Sequence, residues 1–134
     1  MAKIEIVSKP IKYTESLDKL APQHLYIVHT KDNGEQIAYR GGPEGGDAFQ
    51  NWRVDDLKVT QLPYIKGHPD WDEESIHTRK VLATGSDLEI NPLAEKMSKQ
   101  VNWINSQNFD YKLPTVGHWQ NSNTATRYLW QKTN

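Results

Sequence analysis

The chain has 134 residues, with 16 Lys plus Arg against 17 Asp plus Glu and no cysteine, which fits a single domain over 1–134 and excludes disulfides and thiolate metal sites. A protein that tracks phosphates carries a basic excess or stripe, and this near-neutral sequence has neither, so nucleic acid is not an expected partner. No apolar run approaches the ~20 residues that span a bilayer, and Met1 to Val7 lacks the apolar stretch of a signal peptide; the expectation is cytoplasmic synthesis without a transmembrane segment, compatible with signal-independent export.

Ile4-Glu5-Ile6-Val7 alternates briefly and reads as an edge strand ended by Pro10. His24 to Thr30, rich in β-branched and aromatic residues, reads as the clearest strand. Asn33-Gly34 is a strong hairpin signal, with Gln36 to Arg40 returning as the partner strand. Gly41 to Gly46 reads as a glycine-rich loop. Val54 to Leu62 and Ile76 to Ala83 read as two more strands, separated by a polar loop with Pro63, Gly67 and Pro69.

Asn91-Pro92 offers an N-cap and a proline at the first helical position. Leu93, Met97, Val101 and Ile104 follow on one face, with Lys96, Lys99 and Gln100 mostly off it, which predicts a helix from about Pro92 to Ser106. A second helix starts near Asn121-Ser122-Asn123 and runs through Ala125, Tyr128 and Leu129. Strands first and helices last predict an α+β domain: an antiparallel sheet of about four to six strands packed against C-terminal helices.

Ser122 is the first candidate for chemistry. At a helix start, unpaired backbone N–H groups and the helix dipole favour developing negative charge. A serine hydroxyl needs a neighbouring base, and the chain offers His24, His29, His68, His77 and His118. Asn-Ser-Asn is equally an ordinary helix start, and a strand histidine alone carries no argument.

His24 opening a strand, the hairpin, Arg40-Gly41-Gly42-Pro43, and Asn121-Ser122-Asn123-Thr124 at a helix start together resemble the circularly permuted members of the papain-like, NlpC-like superfamily. In that class an early strand histidine meets a late helix-start nucleophile, often inside Asn-Cys-Asn. The resemblance implies Ser122 as nucleophile and His24 as general base, with Asn121 and Asn123 beside the substrate and no cofactor. It also implies a peptide, cell-wall peptide or lipid-ester substrate, and a bacterial effector, toxin or phage-associated setting.

Serine departs from the usual cysteine. An alcohol is not ionised near neutral pH as a thiol partly is. A genuine Ser–His pair, a binding or inhibitory module on an inactive scaffold, and an engineered trap are the three explanations. The third catalytic member depends on the hairpin: a two-residue turn puts Tyr39 on the face of His24, and a three-residue loop puts Arg40 there. Arg-Gly-Gly-Pro carries the resemblance, so Arg40 is the candidate, although arginine accepts no hydrogen bond and is suited to binding a substrate carboxylate.

His118 and Trp119 precede Ser122 and are candidates for lining a cleft, His118 also as an alternative base. The segment His68 to His77 is rich in ligand-type residues, but Glu74 and His77 lack a second metal-binding motif, so it reads as a solvated acidic loop without a metal. The glycines of 41–46 lack the following Gly-Lys-Ser/Thr of a phosphate loop. Two functions therefore compete: hydrolysis or acyl transfer at an amide or ester bond, and non-enzymatic binding of a protein partner, to which five tryptophans are suited.

Overall fold

The computed structural model describes residues 1–10, 23–43, 56–71, 73, 77–109 and 122–133. These form five strands and two helices: β1 (Ala2–Pro10), β2 (Gln23–Thr30), β3 (Gln36–Pro43), β4 (Leu57–Pro63), β5 (Thr78–Gly85), α1 (Asp87–Gln107) and α2 (Ser122–Thr133). The strands make one sheet in the order β4-β3-β2-β1-β5, with every neighbouring pair antiparallel. The protein is thus α+β, as the order of its elements implies.

Both helices cover one face. Ile4, Ile27, Tyr39, Leu57 and Val59 of the sheet meet Ile90, Met97, Val101 and Ile104 of α1 and Ala125 and Leu129 of α2. The other face carries a smaller core of Val7, Tyr26, Val28, Ala38 and Tyr64. Strand β1 is therefore not an edge strand: it lies between β2 and β5 and continues through Pro10. Ile4 and Ile6 face the helices and Val7 the other core, while Glu5 between them pairs with Arg79 and Lys3.

The hairpin loop has three residues. Thr30 pairs with Gln36, Lys31 N–H donates to the Glu35 carbonyl, and Gly34 N–H donates to the Lys31 carbonyl. Gly34 has φ of 90°, a conformation that glycine adopts without penalty. This loop puts the even-numbered residues of β2 and β3 on one face, so Arg40 rather than Tyr39 shares the face of His24.

Gly41 and Gly42 belong to β3, where they pair with Val59 and Lys58 and are buried, rather than to the expected loop; residues 44–50 lie outside the described residues. A Cβ on Gly42 would stand 3.2 Å from an Arg40 terminal nitrogen. The glycine thus leaves room for the guanidinium to lie along its own strand. The expected strand starts at Val54 and Ile76 also lie outside the described residues.

Helix α1 begins five residues before the expected Pro92, at Asp87. Ser86 and Glu89 form a reciprocal capping box, so Ser86, not Asn91, is the N-cap. Pro92 sits inside the helix and deprives the Leu88 carbonyl of its donor on a turn where Leu88 is 85% exposed. Burial of Ile90 keeps this first turn in place, while the expected core residue Leu93 is half-buried. At the far end Asn108 closes the helix with φ of 54°.

Edge strand β4 is covered by α1. Asn105 accepts from Val59 N–H at 2.7 Å and donates to its carbonyl at 2.9 Å. One side-chain amide thereby replaces a strand partner at that residue.

Candidate functional site at the fork between two strands

Strands β2 and β3 pair from Thr30–Gln36 to Ile27–Tyr39, and no further. Beyond that point β3 stays with β4, leaving a fork that opens at Leu25. A strand residue sends its N–H and C=O the same way, so Leu25 presents both to the fork. Helix α2 supplies the missing partners. Asn123 Oδ1 accepts from Leu25 N–H at 2.8 Å, and Thr126 Oγ1 donates to the Leu25 carbonyl at 3.0 Å. The start of α2 is thereby tied to the residue after His24 across 98 positions of sequence.

His24 lies on the face opposite the helices, stacked on Tyr26 with ring centroids 5.8 Å apart. Its Nε2 stands 3.0 Å from Asp70 Oδ1. Arg40 Nε donates to Asp70 Oδ2 at 2.8 Å, and Lys9 Nζ is 3.6 Å from Oδ1. Arg40 does not act on the imidazole directly; both address the same carboxylate. Asp70 is 1% exposed, so the expectation of a solvated acidic loop over His68 to His77 is corrected at its centre. A buried carboxylate needs partners, and three side chains provide them. Burial pushes the Asp70 carboxyl up, but the His24 hydrogen bond and charge, Arg40 and Lys9 outweigh it, holding it well below the ordinary carboxylate range.

The segment that carries Asp70 is built from successive turns. Tyr64 N–H donates to the Gln36 carbonyl, His68 N–H to Ile65 and Trp71 N–H to His68. Gly67, with φ of 104°, makes the reversal possible. His68 Nδ1 accepts from Asp70 N–H at 3.0 Å, which puts the proton of the neutral ring on Nε2. Burial lowers the His68 pKa, against the pull of Asp70 and with the help of Arg40, Lys9 and His24. Tyr26 and Tyr64 share a hydroxyl hydrogen bond of 2.7 Å, and burial drives the Tyr26 phenol far above its ordinary value. Trp71 packs on Tyr64 at 5.1 Å.

Ser122 is the first residue of α2; its side chain, together with His118, Trp119 and Asn121, lies outside the described residues. His24 and Arg40 meet at Asp70 on the face opposite the helices, and Asn123 meets the backbone of Leu25 in the fork. His29 points to the helical face and belongs to another region. Lys9, Asp70 and Thr126 are the participants that sequence reasoning missed, and His68, one of five candidate bases in the sequence, lies beside Asp70. One carboxylate among the four of Asp70, Asp72, Glu73 and Glu74 carries no local sign of burial, and the only hint was Gly67-His68-Pro69 as turn-forming sequence. Among the described residues no group of three or more histidine and carboxylate side chains is placed to hold a metal ion.

Comparison of the chain with protein-family models, curated proteins and solved structures finds no match. No described helix is long and apolar enough to cross a membrane.

Proposed function

We propose that the fork is a hydrolytic site of the permuted papain-like type, acting on an amide or ester bond of a peptide, cell-wall peptide or lipid ester. Ser122 is the nucleophile, His24 the base and Asp70 the group that orients the imidazole. The observation that carries this reading is the Asn123–Leu25 hydrogen bond, which ties the start of α2 to the strand position next to His24. With Nε2 turned to Asp70, His24 takes the Ser122 proton at Nδ1 as Oγ attacks the carbonyl carbon. The oxyanion is met by N–H groups at the start of α2. Collapse breaks the scissile bond, and the leaving amine or alcohol takes the proton from His24. Water then hydrolyses the acyl-serine with His24 again as base.

The test is labelling by a serine-directed fluorophosphonate, read by mass spectrometry of the modified peptide. Labelling at Ser122 that disappears in Ser122→Ala and His24→Ala is the expected result. An unlabelled wild-type chain overturns the reading. Ser122→Cys tells the origin of the serine: a gain of acyl transfer marks a site shaped for a thiolate, and a loss marks one tuned for an alcohol.

One observation favours a non-enzymatic binding module instead. Asp70 already answers two permanent cations besides His24, and the same segment exposes Ile65 and Trp71, apolar side chains suited to a protein partner. On that reading the buried network fixes the shape of a docking segment, and Trp71→Ala weakens partner binding while the fluorophosphonate finds no target.

A further inference from the structure

The sheet has two edges, and they differ. Edge strand β4 is covered by α1 through Asn105. Strand β5 is open: among the described residues only β1 pairs with it, and its outer backbone groups have no backbone partner. An open edge is a template for another strand. β5 offers eight residues, Thr78–Gly85, enough for a full strand pair. Val81 at its middle is 51% exposed, and β-branched residues such as Thr78, Val81 and Thr84 suit an extended backbone.

Charge along this edge has a polarity. Arg79 and Lys80 stand near its start and are exposed. Arg79 shares Glu5 with Lys3, at 3.3 and 3.5 Å, so that one carboxylate faces two cations and leaves Lys80 over. Lys9, at this end of β1, is committed to Asp70. The nearest described carboxylate before β5, Glu73, is turned to Trp71 Nε1. The other end is negative. Gly85 leads into the capping box of α1, where Asp87 and Glu89 occupy the first turn. The Glu89 carboxylate lies against Gly85, and Asp32 is joined to Asp87 through two side-chain-to-backbone bonds. The Met1 ammonium, 3.2 Å from Asp32, offsets only part of this charge. Lys31 and Glu35 on the adjoining hairpin pair with each other. A strand positive at one end and negative at the other is complementary to itself when run antiparallel.

We propose that β5 is a dimerisation edge, pairing antiparallel with β5 of a second copy of this chain about a twofold axis. The register that pairs all eight residues sets Arg79 opposite Thr84 and Lys80 opposite Ala83 of the other copy, so like charges do not meet directly. It also carries Lys80 toward the Asp87 and Glu89 end of that copy. The axis is perpendicular to the sheet, so two five-stranded sheets join into one with the helices of both copies on the same side. The interface is isologous and removes the open edge.

Sedimentation of the full chain from about 1 µM to about 1 mM, with hydrogen exchange of the β5 amides at both limits, tests this. One strand pair is a small interface, so a dissociation constant of roughly 10–100 µM is expected. Concentration should slow exchange in Thr78–Gly85 and leave β4 unchanged, and raising salt from about 50 to about 500 mM should weaken the dimer. Lys80→Glu puts a carboxylate where the other copy is negative, and Val81→Lys puts like charges beside the axis; each should weaken dimerisation about tenfold or more. Both side chains are exposed, so neither change risks the fold. A chain that stays monomeric at about 1 mM overturns the proposal and leaves Lys80 and the irregularity opposite Ile4 and Glu5 as guards of a free edge. So does a dimer that leaves β5 exchange unchanged, or one that Lys80→Glu does not weaken. Slowing of β5 exchange by an alternating Glu-Val octapeptide, in a chain that stays monomeric, also overturns it and assigns the edge to an acidic strand of another protein.

Discussion

Replacing Asp70 by Asn is the most informative single perturbation of this fold. The carboxylate is almost fully buried, and it faces Arg40 at 2.8 Å, His24 at 3.0 Å and Lys9 at 3.6 Å. Removing one partner of a buried ion pair typically costs about 3–5 kcal/mol, because the opposite charge is left without compensation. Arg40 and Lys9 keep 22% and 14% of their side-chain surface in solvent, so water recovers part of the loss. The expected destabilisation is therefore about 2–4 kcal/mol, read as a lower urea midpoint at unchanged slope. The pH dependence supplies a second, independent signature. The folded carboxyl titrates below its unfolded counterpart, so the network contributes its stability above the unfolded value, near pH 4. That contribution is lost as pH falls through the folded value. Wild-type stability should drop steeply below about pH 4, and Asp70→Asn should lack most of that slope. A variant within about 0.5 kcal/mol of wild type at pH 7, or one with the same acid limb, would refute the account of Asp70 as the anchor of residues 64–71.

Ile104→Ala should cost about 2–4 kcal/mol in thermal or urea unfolding, because Ile104 is buried between the helices and the sheet; a neutral result would mean that the packed face of α1 is elsewhere. Ser86→Ala removes the cap and its reciprocal bond with Glu89 and should cost about 1 kcal/mol, whereas Asn91→Ala should be nearly neutral because Asn91 is not the cap. Asn105→Ala should cost about 1–3 kcal/mol and speed hydrogen exchange at Val59, whose N–H loses its partner; unchanged exchange there would show that the β4 edge is protected in another way. Asn123→Ala should cost about 1–3 kcal/mol through the orphaned Leu25 N–H, and it should slow fluorophosphonate labelling more than Thr133→Ala, which breaks a bond at the far end of α2.

What the sequence disclosed and what it hid divide along the range of the interactions involved. His24 to Thr30 and the Asn33-Gly34 hairpin are legible because β-propensity and turn chemistry act over a few residues. The Met97, Val101, Ile104 face of α1 is legible because helical periodicity is local too. Pro92 misled because two local signals competed, and Ser86 with Glu89 satisfied more backbone donors than Asn91 with proline. Strand β1 looked like an edge because its central place depends on β5, nearly eighty residues later in the chain. Asp70 was invisible for the same reason: its burial arises from Lys9, His24 and Arg40, none of which is near it in sequence.

The divergence of β2 from β3 is the structural event from which the site follows. A sheet that stayed paired to its end would satisfy Leu25 from β3 and leave no place for a helix start. Because β3 stays with β4, Leu25 exposes a donor and an acceptor that must be met, and Asn123 and Thr126 meet them with side chains one helical turn apart. This spacing sets the approach of α2 and ties its first turn to the strand carrying His24. The same divergence frees Arg40 from β2, so that its guanidinium runs over Gly42 toward Asp70. Asp70 in turn holds the turn segment against the imidazole. Polar satisfaction of two strand groups thus fixes the start of α2 against β2, while on the opposite face the buried charge of Asp70 gathers Lys9, His24 and Arg40.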